Sequence, residues 1–195
     1  ANGHRRLGKV DKAVSLFRRV LEVEPENMIA RVEFAKLLEG VGQLGEAFDV
    51  LKVLVADSSG STAELERLAT LALGAGKLED AVRLLKRAAD RHPEDLALTR
   101  ALEATQARLR DAMIRSLAGS REPERQLELA GLYAEHGSQN DAIRVLRTLG
   151  KLEGDTPELS FLRFSADHFA RIGREDKAEA ALRKVGQALN YAPGS

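Results

Sequence analysis

The chain has 195 residues, 30 basic and 30 acidic, with hydrophobic residues at 44%, aromatics at only 4%, and neither Cys nor Trp. The missing cysteines exclude disulfides, thiolate metal sites and cysteine nucleophiles. The zero formal charge argues against bulk attraction to nucleic acid or to an anionic membrane. No stretch approaches the roughly 18 apolar residues that span a bilayer, so membrane insertion is not expected. A core poor in aromatics must be built from Leu, Val and Ala, which suits helix against helix better than sheet against sheet.

The predicted elements follow a repeat. Gly8, Gly42 and Gly76 lie 34 residues apart (42 − 8 and 76 − 42), and so do Ala13, Ala47 and Ala81. Phe17, Leu51 and Leu85 keep the same register, as do Val20, Leu54 and Ala88. Pro25 and Pro93 stand two periods apart, with Ser59 between them. Each Gly falls where a first helix ends and a left-handed backbone is wanted. Each Ala falls one turn into a second helix, where a small side chain lets two backbones approach. The bulky residue four positions on shares that face. Pro or Ser then closes the second helix. One repeat is a helical hairpin that buries its apolar face only against its neighbours.

The stretches Gly42-Gln-Leu-Gly-Glu-Ala47-Phe-Asp-Val-Leu51 and Gly76-Lys-Leu-Glu-Asp-Ala81-Val-Arg-Leu-Leu85 resemble the tetratricopeptide repeat family. The family's small first-helix residue appears as Ala35, Ala69, Ala130 and Ala166. Its frequent Trp is absent, and Arg31 and Leu65 stand in that column. The resemblance implies an all-α, right-handed superhelical solenoid of hairpins.

At the start, Ala1–Gly8 reads as the second half of a truncated first helix, followed by a second helix from about Asp11 to Val23. The register then breaks, because Gly137 and Ala142 follow Gly76 and Ala81 by 61 residues (137 − 76 and 142 − 81). Leu96–Leu117 contains neither Gly nor Pro, and Leu98, Leu102, Leu109 and Met113 keep a helical stripe. It reads as one long helix of about 33 Å; two short helices with an unmarked turn are the alternative. Gly119-Ser-Arg-Glu-Pro123 breaks it. Two further hairpins follow, Arg125–Leu152 with Tyr133 in a packing column and Leu159–Leu189 with Gly173 and Ala178 in register. The expected organisation is a hairpin array over 1–95, the long helix and breaker over 96–122, and a second hairpin pair with its tail over 123–195.

Chemistry-bearing motifs are scarce. Gly40-Val-Gly42-Gln-Leu-Gly45 spells a dinucleotide fingerprint but follows a helical stretch, where the fingerprint needs a strand. Gly76-Lys77 lacks the phosphate loop's earlier glycine and its following hydroxyl, since Leu71 and Leu78 stand there. The four histidines, His4, His92, His136 and His168, are too far apart to form a local metal pair. His92 and His136 suit helix C-termini, where a cation favours the helix dipole. Asp167 and His168 are adjacent, so on a helix they point apart. No cofactor, metal or catalytic set is expected, and the chain does not read as an enzyme.

The resemblance instead implies a groove lined by the first helices. Its positions fall on Ile29, Val32, Glu33, Lys36 and Glu39, then Glu66, Arg67, Thr70 and Leu73, then Arg100, Ala104 and Arg108. Such a mixed surface suits a peptide or partner helix with apolar anchors. Relatives that clamp an acidic C-terminal peptide use positions that match Val32, Lys36, Arg67, Ala97 and Ala101 here; only Lys36 and Arg67 have suitable chemistry. Phe161, Leu162, Phe164 and Phe169 exceed what one packing stripe takes. Phe161 or Phe164 is thus a candidate for a second contact or self-association surface, or is covered by Tyr191 and the tail. The reading is a scaffold or adaptor for a protein or peptide partner. The alternatives are a self-assembling or spacer subunit of a secretion or envelope complex, possible as a homo-oligomer, or an accessory region of a larger enzyme.

Overall fold

The structure is a computed structural model that describes residues 2–55, 60–151 and 156–190, with side chains from Val10 to Leu189. Among the described residues it is all helical, with no strand. It divides into two compact units, Ala1–Leu109 and Arg110–Ser195.

The N-terminal unit holds α1 (Asn2–Val23), α2 (Met28–Gly40), α3 (Leu44–Leu51), α4 (Thr62–Gly74), α5 (Leu78–Arg91) and the start of α6 (Leu96–Ala118). A short 3-10 turn, Lys52–Val55, extends α3. Helices α2/α3 and α4/α5 are the hairpins, and α3 packs on α4. The starts are written in the sequence. Asn27 accepts the Ala30 amide at 2.9 Å. Ser61 and Glu64 form a reciprocal capping box. Asp95 accepts the Ala97 and Leu98 amides at 2.8 and 3.3 Å.

The ends are equally specific. Gly42 and Gly76 take φ of +78° and +74°, a left-handed conformation that a Cβ would strain. That conformation turns the next amides back on the helix. Gln43 N–H donates to Leu38 and Lys77 N–H to Ala72, each at 2.8 Å. These are six-to-one closures of the helix C-terminus. Gly137 and Gly173 repeat the geometry in the second unit, with Ser138 donating to Tyr133 and Arg174 to Phe169 at 2.9 and 2.8 Å. Where these glycines turn the chain, the alanine columns bring the paired helices together: Ala35, Ala47, Ala81, Ala130 and Ala142 are all fully buried.

Gly8 behaves differently from its column. It lies inside α1, a single helix from Asn2 to Val23, so the turn expected there is absent. A glycine inside a helix costs only about 1 kcal/mol relative to Ala. It breaks a helix where packing recruits the turn, and here the stripe Val10, Val14, Phe17 and Leu21 lies on one core without interruption. Ser59 and Tyr191, to which the sequence assigns a helix closure and a cover, lie outside the described residues.

The C-terminal unit holds the rest of α6, then α7 (Pro123–Glu135), α8 (Gln139–Thr148), α9 (Pro157–Arg171) and α10 (Glu175–Asn190). Pro123 and Pro157 open α7 and α9, where the missing N–H is no loss. Gln126 ties the α6–α7 link by donating from Nε2 to the Leu117 and Ser120 carbonyls at 3.1 and 2.7 Å. Tyr133, Ala134, Ala142, Ile143 and Phe161 form the core between α7, α8 and α9.

Arginines fasten loops to helices. Arg31, in the column where the family often has Trp, donates to the Val50 carbonyl at 3.0 Å and also bonds Pro25. Arg87 donates to Val55 at 2.9 Å. On α3, Asp49 accepts from Lys52 and Lys77, each at 2.8 Å, and these two hydrogen bonds hold its carboxyl below the usual value. A depressed carboxyl contributes stability above its unfolded pKa and loses it as pH falls through its folded one. In a carbon-detected NMR titration, Asp49 is therefore expected to protonate at lower pH than an unpaired Asp. Lys77→Met should raise its midpoint; an unmoved midpoint would remove the cross-hairpin bond as a cause.

Candidate protein-binding surface

On the first-helix face of the N-terminal unit, α2, α4 and the start of α6 present the residues named from sequence. Ile29 is 78% exposed at the start of α2. Val32 is half-buried and packs on the core, so it shapes the surface from beneath. Glu33 and Lys36 pair with each other at 2.7 Å. Glu39 reaches across to Arg67 of α4, also at 2.7 Å, and joins the two first helices. Both pairs are well exposed, so each contributes less than about 1 kcal/mol. Their effect is to neutralise four charges within the surface itself.

Glu66, Thr70 and Leu73 converge on a concavity of about 270 Å³, closed on the far side by Asp95, Ala97 and Leu98. Leu73 and Leu98 supply an apolar floor; Glu66 and Thr70 are exposed on the rim. The Thr70 hydroxyl is already spent on the Glu66 carbonyl at 2.9 Å. No hydrogen bond or ion pair engages the Glu66 carboxylate among the described residues. Arg100, Ala104 and Arg108 are exposed farther along α6. Asp95 is a lining residue that the repeat columns did not mark. Its signal is the acidic residue just before the first turn of α6, the sequence mark of an N-cap.

In the C-terminal unit, the two phenylalanines proposed as a second surface separate. Phe161 is only 8% exposed, packed against Ala134, Ala142 and Ile143. Its place on α9 faces the α7/α8 hairpin, which takes up the ring. Phe164 stays half-buried, stacked on His168 with ring centroids 5.9 Å apart. His168 Nε2 meets Glu135 Oε1 of α7 at 2.8 Å, while Asp167 pairs with Arg171. The adjacent Asp and His thus serve different partners. His92 and His136 occupy the C-cap positions of α5 and α7. Gly40, Gly42 and Gly45 lie at an interhelical turn, without the strand a dinucleotide loop needs.

Within each unit, paired helices closed by left-handed glycines and seated on alanine columns define a helical-hairpin repeat protein. No helix among the described residues is long and apolar enough to cross a membrane. Residues 1–62 match the profile of the tetratricopeptide repeat family. The same glycine and alanine columns continue through the second hairpin, beyond the matched residues. No curated protein matches the chain. Among solved structures, MamA is 16% identical, with 100% of this chain and 92% of that one covered and a TM-score of 0.36. A tetratricopeptide repeat protein from Parabacteroides merdae is 17% identical over 95% and 76% of the two chains, with a TM-score of 0.41. YrrB, described as a TPR protein with an unusual peptide-binding site, is 18% identical over 90% and 93%, with a TM-score of 0.34.

Proposed function

We propose that the chain is an adaptor that holds a peptide or a partner's extended segment along the first-helix face of its N-terminal unit. The observation that carries this reading is the concavity between α4 and α6. It gathers Glu66, Thr70 and Leu73 from one helix and meets them with Ala97 and Leu98 from the next. An apolar side chain fits its floor, and the unengaged Glu66 carboxylate favours a neighbouring cation. Ile29, Val32, Glu33, Lys36, Glu39 and Arg67 extend the surface on one side, and Arg100 and Arg108 on the other. The occupant is read by a few anchors, while most of the face only excludes water.

A peptide display library panned on the protein tests this directly. Enriched peptides are expected to bind about tenfold more weakly, or not at all, to Thr70→Arg, whose long side chain fills the concavity from an exposed position. Circular dichroism of the variant should be unchanged. A specific observation favours the structural alternative as well. Leu16, Val20 and Val23, on one face of α1, are 60%, 39% and 81% exposed. Such an apolar stripe suits self-assembly. If the native chain and Thr70→Arg bind alike and both sediment as oligomers, the self-assembling reading replaces the adaptor.

A further inference from the structure

The C-terminal unit contains a concavity of about 380 Å³ that the groove reading does not use. Its floor is apolar, built from Phe161, Leu162 and Phe169 of α9 and Ala181 of α10. Two cations stand over that floor, Lys177 and Lys184, both on α10. They are seven residues apart, hence on one helical face. The Lys177 ammonium lies 5.2 Å from the Phe169 ring centroid, so it is held above the apolar floor.

The charge is unbalanced in a way unusual for this chain. Its other helix-surface cations commonly have an acid one turn away: Lys36 has Glu33, Lys52 has Asp49, Arg83 has Asp80 and Arg144 has Asp141. Lys177 and Lys184 have none. The residues three and four away from them are Gly173, Arg174, Ala180, Ala181, Gln187 and Ala188. Asp176 lies beside Lys177 but is hydrogen-bonded to Arg174. The lining carboxylate, Glu135, is engaged with His168 at 2.8 Å. Lys184 makes no ion pair among the described residues. What remains is an apolar hollow whose rim carries two lysines against one carboxylate, Glu135, with Asp176 beside Lys177 shared with Arg174.

We propose that this concavity is a second binding site, for a segment of a partner protein that sets a large apolar side chain between acidic residues. The apolar side chain fills the hollow over Phe161 and Phe169, and the flanking carboxylates meet Lys177 and Lys184 as charge-assisted pairs. This site lies in the other unit from the first-helix groove and takes the opposite flanking charge.

The test uses the full chain and three synthetic peptides, followed through its backbone amide NMR shifts. Acetyl-Glu-Glu-Phe-Glu-Glu-amide is expected to move the Lys177, Ala181 and Lys184 amides saturably. The Ala-centred counterpart should bind about tenfold more weakly, for want of the apolar anchor. The counterpart with Lys in place of Glu should not move these amides. Lys184→Glu, an exposed change, should reverse the preference between acidic and basic peptides. Ala180→Trp, also exposed on the rim, should abolish binding by filling the hollow. Equal response to acidic and basic peptides, no saturable shift, or shifts confined to the first-helix groove would each overturn the proposal.

Discussion

Replacing Gly131 by Ala is expected to destabilise the C-terminal unit by about 1–3 kcal/mol, the usual range for forcing a methyl into a packed contact. A Cβ there would lie 2.3 Å from His168 Cε1, 2.6 Å from Nδ1 and 2.9 Å from Nε2. The ring cannot swing away cheaply. Its Nε2 is bonded to Glu135, one face stacks on Phe164, and Phe169 meets it edge-on with centroids 5.7 Å apart. Thermal unfolding followed by circular dichroism should show a transition lowered by several degrees, about 4–8 °C per kcal/mol for a unit of this size. The decisive measurement is the double change with His168→Ala. Removing the ring removes the clash, so Gly131→Ala should cost markedly less in that background, a coupling of at least about 0.5 kcal/mol. Strict additivity would mean that some other contact limits the approach of α7 and α9.

The second large effect is expected at Leu65. It is fully buried in α4 and stands in the same repeat column as Arg31 of α2. Leu65→Ala leaves a cavity in the N-terminal core and should cost about 2–5 kcal/mol. Arg31→Ala removes no fully buried side chain. It frees the Val50 carbonyl and the Pro25 carbonyl at a half-exposed position, and the cost should stay near 1–2 kcal/mol. Denaturant unfolding of the two variants separates the contributions. Equal losses would mean that loop fastening, rather than apolar burial, is what this column supplies in both repeats.

The repeat skeleton was legible because its signals are backbone requirements. Only a residue without Cβ takes the +74° to +78° turns of Gly42, Gly76 and Gly137 at no cost, and only a small one fits at Ala47 or Ala81. The same columns misled at Gly8, where the residue recurs but no packing recruits a turn. Phe161 could not be placed from α9 alone, since its burial depends on α7 and α8. Gly131 gave no sequence signal beside its neighbour Ala130, because its role is set by His168, far along the chain on α9. The division after Leu109 was hidden too. The stripe Leu98, Leu102, Leu109 and Met113 runs past it without a break, and buried Thr105 satisfies its hydroxyl on the Ala101 carbonyl at 2.7 Å. The groove candidates fell where the repeat puts first-helix positions. Their internal pairings, Glu33 with Lys36 and Glu39 with Arg67, depend on side-chain reach that spacing alone does not give.

The scarcity of aromatic residues shapes how the molecule reports on itself in light. With no Trp and two Tyr, ultraviolet emission comes almost wholly from tyrosine. Tyr133 is packed on the cluster of Ala134, Ala142, Ile143 and Phe161. Its emission follows the packing of the C-terminal unit. The stacked Phe17 and Phe34 rings at the heart of the other unit, with centroids 5.6 Å apart, are nearly dark at the same wavelengths. Half of the protein is therefore optically silent, and a fluorescence trace and a far-ultraviolet dichroism trace of the same sample follow different parts of one chain.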